Sequence, residues 1–141
     1  MSKFKILIVD DSELILNTMK LILNNYVYKG MEVELEFASS GYEAKSLFGK
    51  NERFDLLLLD VIMETKNAGF EVVDYIRNNM KDDDVRIFIV SGRTGGLPEE
   101  YIHLANGING IINKCEMEFS MIENVVKDSV EYYLNRTNES S

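Results

Sequence analysis

The sequence predicts an α/β domain built on a doubly wound parallel sheet, and two observations carry that prediction. Short apolar runs without alternation, in Phe4 to Val9 (FKILIV), Phe54 to Leu59 and Arg86 to Val90, have the character of strands covered on both faces. Each is followed by a polar turn and then by apolar residues at helical spacing, so strands and helices alternate along the chain. Parallel neighbours need a crossover, and five βα units in a row therefore place helices on both sides of one five-stranded sheet.

The first strand, Phe4 to Val9, ends in Asp10-Asp11, and from Ser12 onward Ile15, Met19, Ile22 and Tyr26 recur at helical spacing. Ser12 and Glu13 suit a helix start, where backbone N–H groups lack partners. Glu32 to Ala38 alternates charged and apolar residues, the pattern of a strand with one exposed face at a sheet edge. Ser39-Ser40-Gly41 turns the chain into a short helix reaching about Lys50, with Ala44, Leu47 and Phe48 inward. The third strand, Phe54 to Leu59, is followed by a helix over Phe70 to Met80 through Val73 and Ile76, ended by the acidic turn Lys81 to Asp84. The fourth strand, Arg86 to Val90, leads into the loop SGRTGGLPE and a helix near Glu99 to Ala105. A short fifth strand covers Gly110 to Asn113. The last helix, Phe119 to Leu134, sets Phe119, Ile122, Val126, Val130 and Tyr133 on one face, and residues 135–141 read as a polar, frayed tail or the start of a linker. Residues 1–134 thus form one domain, a size that buries a real core.

Composition narrows the function. A net charge of -9 argues against direct grip on a nucleic-acid backbone, where lysine and arginine must neutralise phosphates. Cys115 is the only cysteine, which excludes an internal disulfide and fits a reduced, cytoplasmic setting; it reads as a small packing residue. The apolar run at Ile6 to Val9 is stopped by Asp10 and Asp11, short of a signal peptide or a membrane span.

In doubly wound sheets ligands sit beyond the carboxyl ends of the strands. Those ends hold Asp10 and Asp11, then Asp60, Ser91 and Lys114. Singly, each has an ordinary structural use, as helix cap, turn former or solvated charge. Together they gather three carboxylates, and two unit charges near 4 Å repel by about 4 kcal/mol at an effective dielectric of 20. A divalent cation with all-oxygen ligands, for which magnesium is suited, offsets that repulsion, and Lys114 adds a fixed positive charge. A metal and a lysine facing a carboxylate and a hydroxyl suit the neutralisation of phosphoryl oxygens, with Asp60 as nucleophile.

With these residues placed, the chain resembles a response-regulator receiver domain of two-component signalling. The pieces that carry the resemblance are ILIVDDSE, LLLLDVIM followed by GFEVVDYIR, IFIVSGR, and ANGINGIINK, covering Phe4 to Leu134. The resemblance implies a flavodoxin-like (βα)5 fold with strand order 2-1-3-4-5. It implies Mg2+ ligated by Asp11 and Asp60, by Asp10 through water, and by the backbone carbonyl of Ile62. It further implies that Asp60 is phosphorylated, that Ser91 and Lys114 bind the phosphoryl oxygens, and that the domain is a switch rather than an enzyme. The implied partners are a sensor histidine kinase or phosphotransfer protein and a downstream output domain or protein, with homodimerisation possible. His103, the only histidine, lies on a predicted helix away from the strand ends and reads as a surface residue, so the phosphoryl donor comes from outside the chain.

Several positions depart from the common receiver pattern. Glu64 stands where a proline is usual after Met63, in a loop to Gly69 that is one residue longer than usual, which predicts a freer and more acidic loop. Lys114 meets Cys115 rather than a proline, and a trans peptide is expected because a cis bond there costs about 2.5 to 4 kcal/mol. Ile111 replaces the aromatic of the usual switch, so readout through the fourth helix, fifth strand and fifth helix must use other residues. Tyr101, Ile102 and Tyr132 in that region fit either core or an interface, core being the better reading for each singly. METKNAG, GGLPE and INKCE together are similar to receivers found ahead of HD-type cyclic-dinucleotide phosphodiesterase modules.

Two readings compete with the phosphoacceptor switch. A pseudo-receiver that binds a partner without phosphorylation is favoured by Glu64, Cys115 and Ile111 and opposed by the complete acidic set. A magnesium phosphohydrolase with an aspartyl-phosphate intermediate would carry two aspartates separated by one residue after the first strand, whereas Asp10 and Asp11 are adjacent. A flavin carrier is disfavoured further, since DDSE would repel a phosphate.

Overall fold

The computed structural model describes residues 2–50, 52–92 and 95–139; of the motifs above, Arg93 and Thr94 and the final Ser140 and Ser141 lie outside the described residues. The central strand β1 (Ser2–Val9) runs parallel to β3 (Met31–Ala38) on one side and β4 (Leu56–Leu59) on the other. Beyond β4 come β5 (Arg86–Ser91) and β6 (Gly110–Asn113), also parallel. A two-residue strand β2 (Val27–Tyr28) pairs antiparallel with β3, so the sheet order is β2-β3-β1-β4-β5-β6. Without the β2 hairpin this is the expected order 2-1-3-4-5.

Strand β4 shows no alternation because both faces are filled. Leu57 and Leu59 enter a core with Ala44 and Phe48 of α2 (Gly41–Gly49) and with Val72 and Val73 of α3 (Ala68–Asp74). Leu56 and Leu58 enter a second core with Met19 and Leu23 of α1 (Glu13–Leu23) and Ile122, Val126 and Val130 of α4 (Phe119–Glu139). All four β4 leucines are fully buried, and truncating any of them to alanine costs about 2–5 kcal/mol. That burial on both sides fixes the backbone leading into Asp60.

The structure departs from expectation in several elements. Helix α1 ends at Leu23, not Tyr26, because Asn24 turns extended (ψ 127) and Asn25 takes φ 61, leading the chain into the β2–β3 hairpin. Lys29 (φ 49) and Gly30 (φ 78) form its turn, where positive φ at both central residues matches the strand twist. The hairpin shields the start of β3, the strand expected to lie fully at the edge. Helix α3 begins at Ala68 and widens into a π turn over Tyr75–Asn79, closed by the Met80 N–H donating to Tyr75 O at 2.8 Å. Met80 is therefore exposed. Arg77, on that turn, donates to Gly107 O at 3.0 Å and Asp82 O at 2.9 Å, tying α3 to the chain entering β6.

The expected helix at Glu99 to Ala105 is a 3-10 segment, Glu99–Gly107, with only Leu104 buried. Ile102 and Tyr132, read as core, are exposed, while Tyr101 is half-buried 5.2 Å from the Phe70 ring. Phe119 is exposed rather than inward, since it opens α4 ahead of the stretch that meets the sheet. The tail expected to fray continues α4 to Glu139, where Arg136 pairs with Asp84 at 3.0 Å. Among the described residues no helix is long and apolar enough to cross a membrane.

Candidate functional site

The strand ends converge as the alternation of strands and helices predicts. The Asp10 N–H donates to Ala38 O at 3.1 Å and the Asp60 N–H to Val9 O at 2.9 Å, so sheet bonding extends one step past β1 and β4 and holds both aspartates. Asp10 and Asp60 are buried and Asp11 is exposed. One carboxylate oxygen from each of the three lies within 4.8 Å of the others. Asp10 Oδ1 also accepts the Ser12 N–H at 2.9 Å, a local turn that launches α1. Asp60 Oδ1 accepts the Val61 N–H at 2.8 Å.

Lys114 closes the cluster. Its Nζ stands 2.7 Å from Asp10 Oδ2 and 3.2 Å from Asp60 Oδ2. Burial, and after it the charge of Asp10, hold the Asp60 carboxyl above the ordinary aspartate range against the pull of Lys114 and the Val61 N–H. Burial pulls the Lys114 ammonium down, but its bonds and charge contacts with Asp10 and Asp60 outweigh that and leave it above the usual lysine range. Lys114 thus pairs with two of the three clustered carboxylates, Asp10 and Asp60, and the oxygen-only donor set fits a hard divalent ion such as Mg2+.

Lys114 is presented without the usual proline. It opens a 3-10 turn, Lys114–Glu116, whose start is capped by the Asn113 side chain accepting the Cys115 N–H at 2.9 Å. The Lys114–Cys115 peptide is trans, as expected, and no described bond is cis. Cys115 is exposed, not a packing residue, because the turn lifts it off the sheet. Ser91, buried at the end of β5, pairs in register with Asn113, the residue before Lys114. Ile111 pairs in register with Ile89 and its side chain is exposed. His103 is exposed and 4.0 Å from Asp74, apart from the cluster.

Ile62 lies in the loop after Asp60 with an exposed side chain. That loop is anchored, not free. Glu64 Oε1 accepts the Gly41 N–H at 2.8 Å and Oε2 the Tyr42 N–H at 2.9 Å, two first-turn donors of α2 that helix geometry leaves unpaired. Burial raises the Glu64 carboxyl, but these backbone donors outweigh it and leave it below the ordinary glutamate range. The extra acidity of the loop is therefore met by a helix end.

The sequence reading missed a second anchor, Gly69. A Cβ there would lie 2.2 Å from Asp60 O and 2.7 Å from Val61 Cα, so α3 can start against the Asp60 backbone only at a residue without a side chain. The Gly69 N–H donates to Val61 O at 2.9 Å across the same contact. The signal in the sequence is the glycine opening GFEVV, which packing rather than φ explains.

Comparison with known proteins places this geometry. The family model described as Response regulator receiver domain matches residues 6–126. The chain belongs to that family. Receiver domains serve two-component signalling, meet histidine kinases and output domains in general, and bind Mg2+ through an acidic cluster; in this receiver the cluster is Asp10, Asp11 and Asp60. A 3'3'-cGAMP-specific phosphodiesterase 2 of Vibrio cholerae serotype O1 is 28% identical over 128 residues, taking in 91% of this chain. The chain spans only 24% of that relative's length. Among solved structures, the signal receiver domain of an HD domain-containing protein from Pseudomonas fluorescens Pf-5 superposes with TM-score 0.75 at 18% identity, covering 97% of this receiver and 94% of that chain. A chemotaxis response regulator of Vibrio cholerae gives TM-score 0.70 at 26% identity, covering 91% and 99%.

Proposed function

We propose that this receiver is a phosphoacceptor switch: Asp60 takes a phosphoryl group from a phosphohistidine on a sensor kinase or phosphotransfer protein, in a Mg2+-dependent reaction. The observation that carries this reading is Lys114 bridging Asp10 and Asp60 at the end of a fully buried strand. An Asp60 carboxylate oxygen bonds to phosphorus as the donor's P–N bond breaks, and the electron pair and a proton stay with the departing imidazole. Asp10, Asp11, Asp60 and the Ile62 carbonyl would hold Mg2+, which when bound supplies positive charge beside the phosphoryl oxygens. The Lys114 ammonium then shifts from the aspartates to a phosphoryl oxygen, and the Ser91 hydroxyl donates to another.

The new charge, about -1.5 to -2, biases the ends of β5 and β6 and so changes partner binding. Ile111 makes that readout independent of an aromatic switch. The domain acts as a signalling element, not an enzyme on an external substrate, and works in the cytoplasm. The match to a cGAMP-specific phosphodiesterase, with the resemblance carried by METKNAG, GGLPE and INKCE, supports a cyclic-dinucleotide phosphodiesterase as the output, on this chain or another.

The exposed Ile111 and Cys115 favour a second reading, a pseudo-receiver that binds its partner unphosphorylated. Calorimetric Mg2+ titration separates the two. The switch predicts one saturable site lost in Asp11→Ala, and absence of binding by the wild type favours the pseudo-receiver.

A further inference from the structure

We infer that Glu64 is a positioning residue that sets the loop carrying the Ile62 carbonyl and thereby the affinity of the site for Mg2+. The inference rests on the receiver-site reading above and adds to it a residue outside the acidic cluster.

The loop between Asp60 and Gly69 is closed at its base by backbone hydrogen bonds. At one end the Asp60 N–H is bound to Val9 O, and the Gly69 N–H returns to Val61 O at 2.9 Å. Ile62 sits just beyond these contacts, and its side chain is 50% exposed, so its own packing does not hold its backbone. Two neighbours do. Met63 packs against the core on the α2–α3 side of the sheet, and its N–H donates to Thr65 O at 3.0 Å. Glu64 then bonds the Gly41 and Tyr42 N–H groups with both carboxylate oxygens.

The partner of this clasp is rigid. Helix α2 is held by fully buried Ala44 and Phe48, and Gly41 lies so close to α3 that a Cβ would stand 3.3 Å from Val72 Cγ2 and 3.4 Å from Ala68 O. Bonds from a carboxylate to backbone N–H groups at a helix start are charge-assisted, and two of them fix both position and orientation. The helix does not depend on Glu64 alone for its start, because Ser40 Oγ accepts the Glu43 N–H at 3.0 Å. The clasp therefore joins two segments separated by 23 and 22 positions in the chain, whereas the Ser40 cap is local to α2.

That difference supplies the test. Mg2+ affinity is measured by calorimetry on the full chain as wild type, Glu64→Ala, Glu64→Gln and Ser40→Ala, with a thermal melt of each without metal. Glu64→Ala is expected to weaken Mg2+ binding about tenfold, the scale of losing a group that orients a metal ligand. Glu64→Gln keeps acceptor oxygen for one N–H and falls between. Ser40→Ala lowers the melting temperature by removing a cap of the same helix but binds Mg2+ as the wild type does. Wild-type affinity in Glu64→Ala, or equal weakening in Ser40→Ala, overturns the inference while leaving the receiver site standing. A wild type that binds no Mg2+ overturns the receiver-site reading and the Glu64 assignment with it.

Discussion

Lys114 Nζ stands 3.2 Å from Asp60 Oδ2 while its shorter bond, 2.7 Å, goes to Asp10. The lysine holds together two buried carboxylates, and in the proposed switch it loosens that hold to reach an incoming phosphoryl group. Lys114→Met leaves both carboxylates without their cation. The expected cost is about 2–3 kcal/mol without metal, less than for a fully buried pair because Lys114 keeps some solvent contact. Mg2+ should recover a larger part of that stability in the variant than it adds to the wild type, because it replaces the missing charge. Thermal melts with and without Mg2+ check this; an unchanged melting temperature in Lys114→Met would show that the bridge contributes nothing.

Gly69→Ala places a methyl group where the Asp60 carbonyl oxygen now lies, 2.2 Å from the ideal Cβ position. Either α3 or the Asp60 backbone must move, at about 1–3 kcal/mol as in other overpacked sites. Denaturant unfolding should show that loss. Phosphoryl uptake from acetyl phosphate should fall further than the remaining folded fraction explains, since the displaced atom belongs to Asp60, the proposed acceptor.

Much of this was legible in the sequence, and the reasons can be named. Leucines in unbroken series before Asp60 can be buried only if both sheet faces are covered, so β4 and the carboxylate at its end were readable. Asp10, Asp11, Ser91 and Lys114 followed from the same rule applied to the other strand ends. The hairpin at Val27–Tyr28 was not, because Tyr26 continues the helical spacing of α1, which the extended Asn24 (ψ 127) and the positive φ of Asn25 break. Glu64 was read from its local character alone. Its bonds to Gly41 and Tyr42 depend on α2 packing beside the loop, a tertiary contact that no local pattern encodes. Ile102 and Phe119 fit an apolar face, yet a 3-10 segment and a helix start leave them in solvent.

Asp55 offers a pH test away from the site. Burial raises its carboxyl above the ordinary aspartate value, against the Lys5 N–H, which it accepts at 2.8 Å, and against the charges of Arg136 and Lys5. A carboxyl raised in the folded state favours folding when protonated; that contribution is full below the unfolded value near about 3.9 and is lost as pH rises through the folded value. Asp55→Asn keeps an acceptor oxygen for Lys5 and does not ionise. Its stability relative to the wild type should therefore climb as pH is raised from about 4 toward neutrality. Urea midpoints at both ends of that range decide it, and a constant difference would contradict the assignment.

Asp60 is the proposed phosphoacceptor of a metal-dependent receiver site. Its most direct test is the intact mass of the chain after acetyl phosphate treatment, with and without Mg2+, for the wild type and Asp60→Asn. A metal-dependent acceptor at Asp60 gives a single added phosphoryl group on the wild type with Mg2+, and none on the wild type without divalent metal or on Asp60→Asn under either condition. A wild type left unmodified by both acetyl phosphate and its kinase, or an Asp60→Asn variant modified to the same extent, would contradict it.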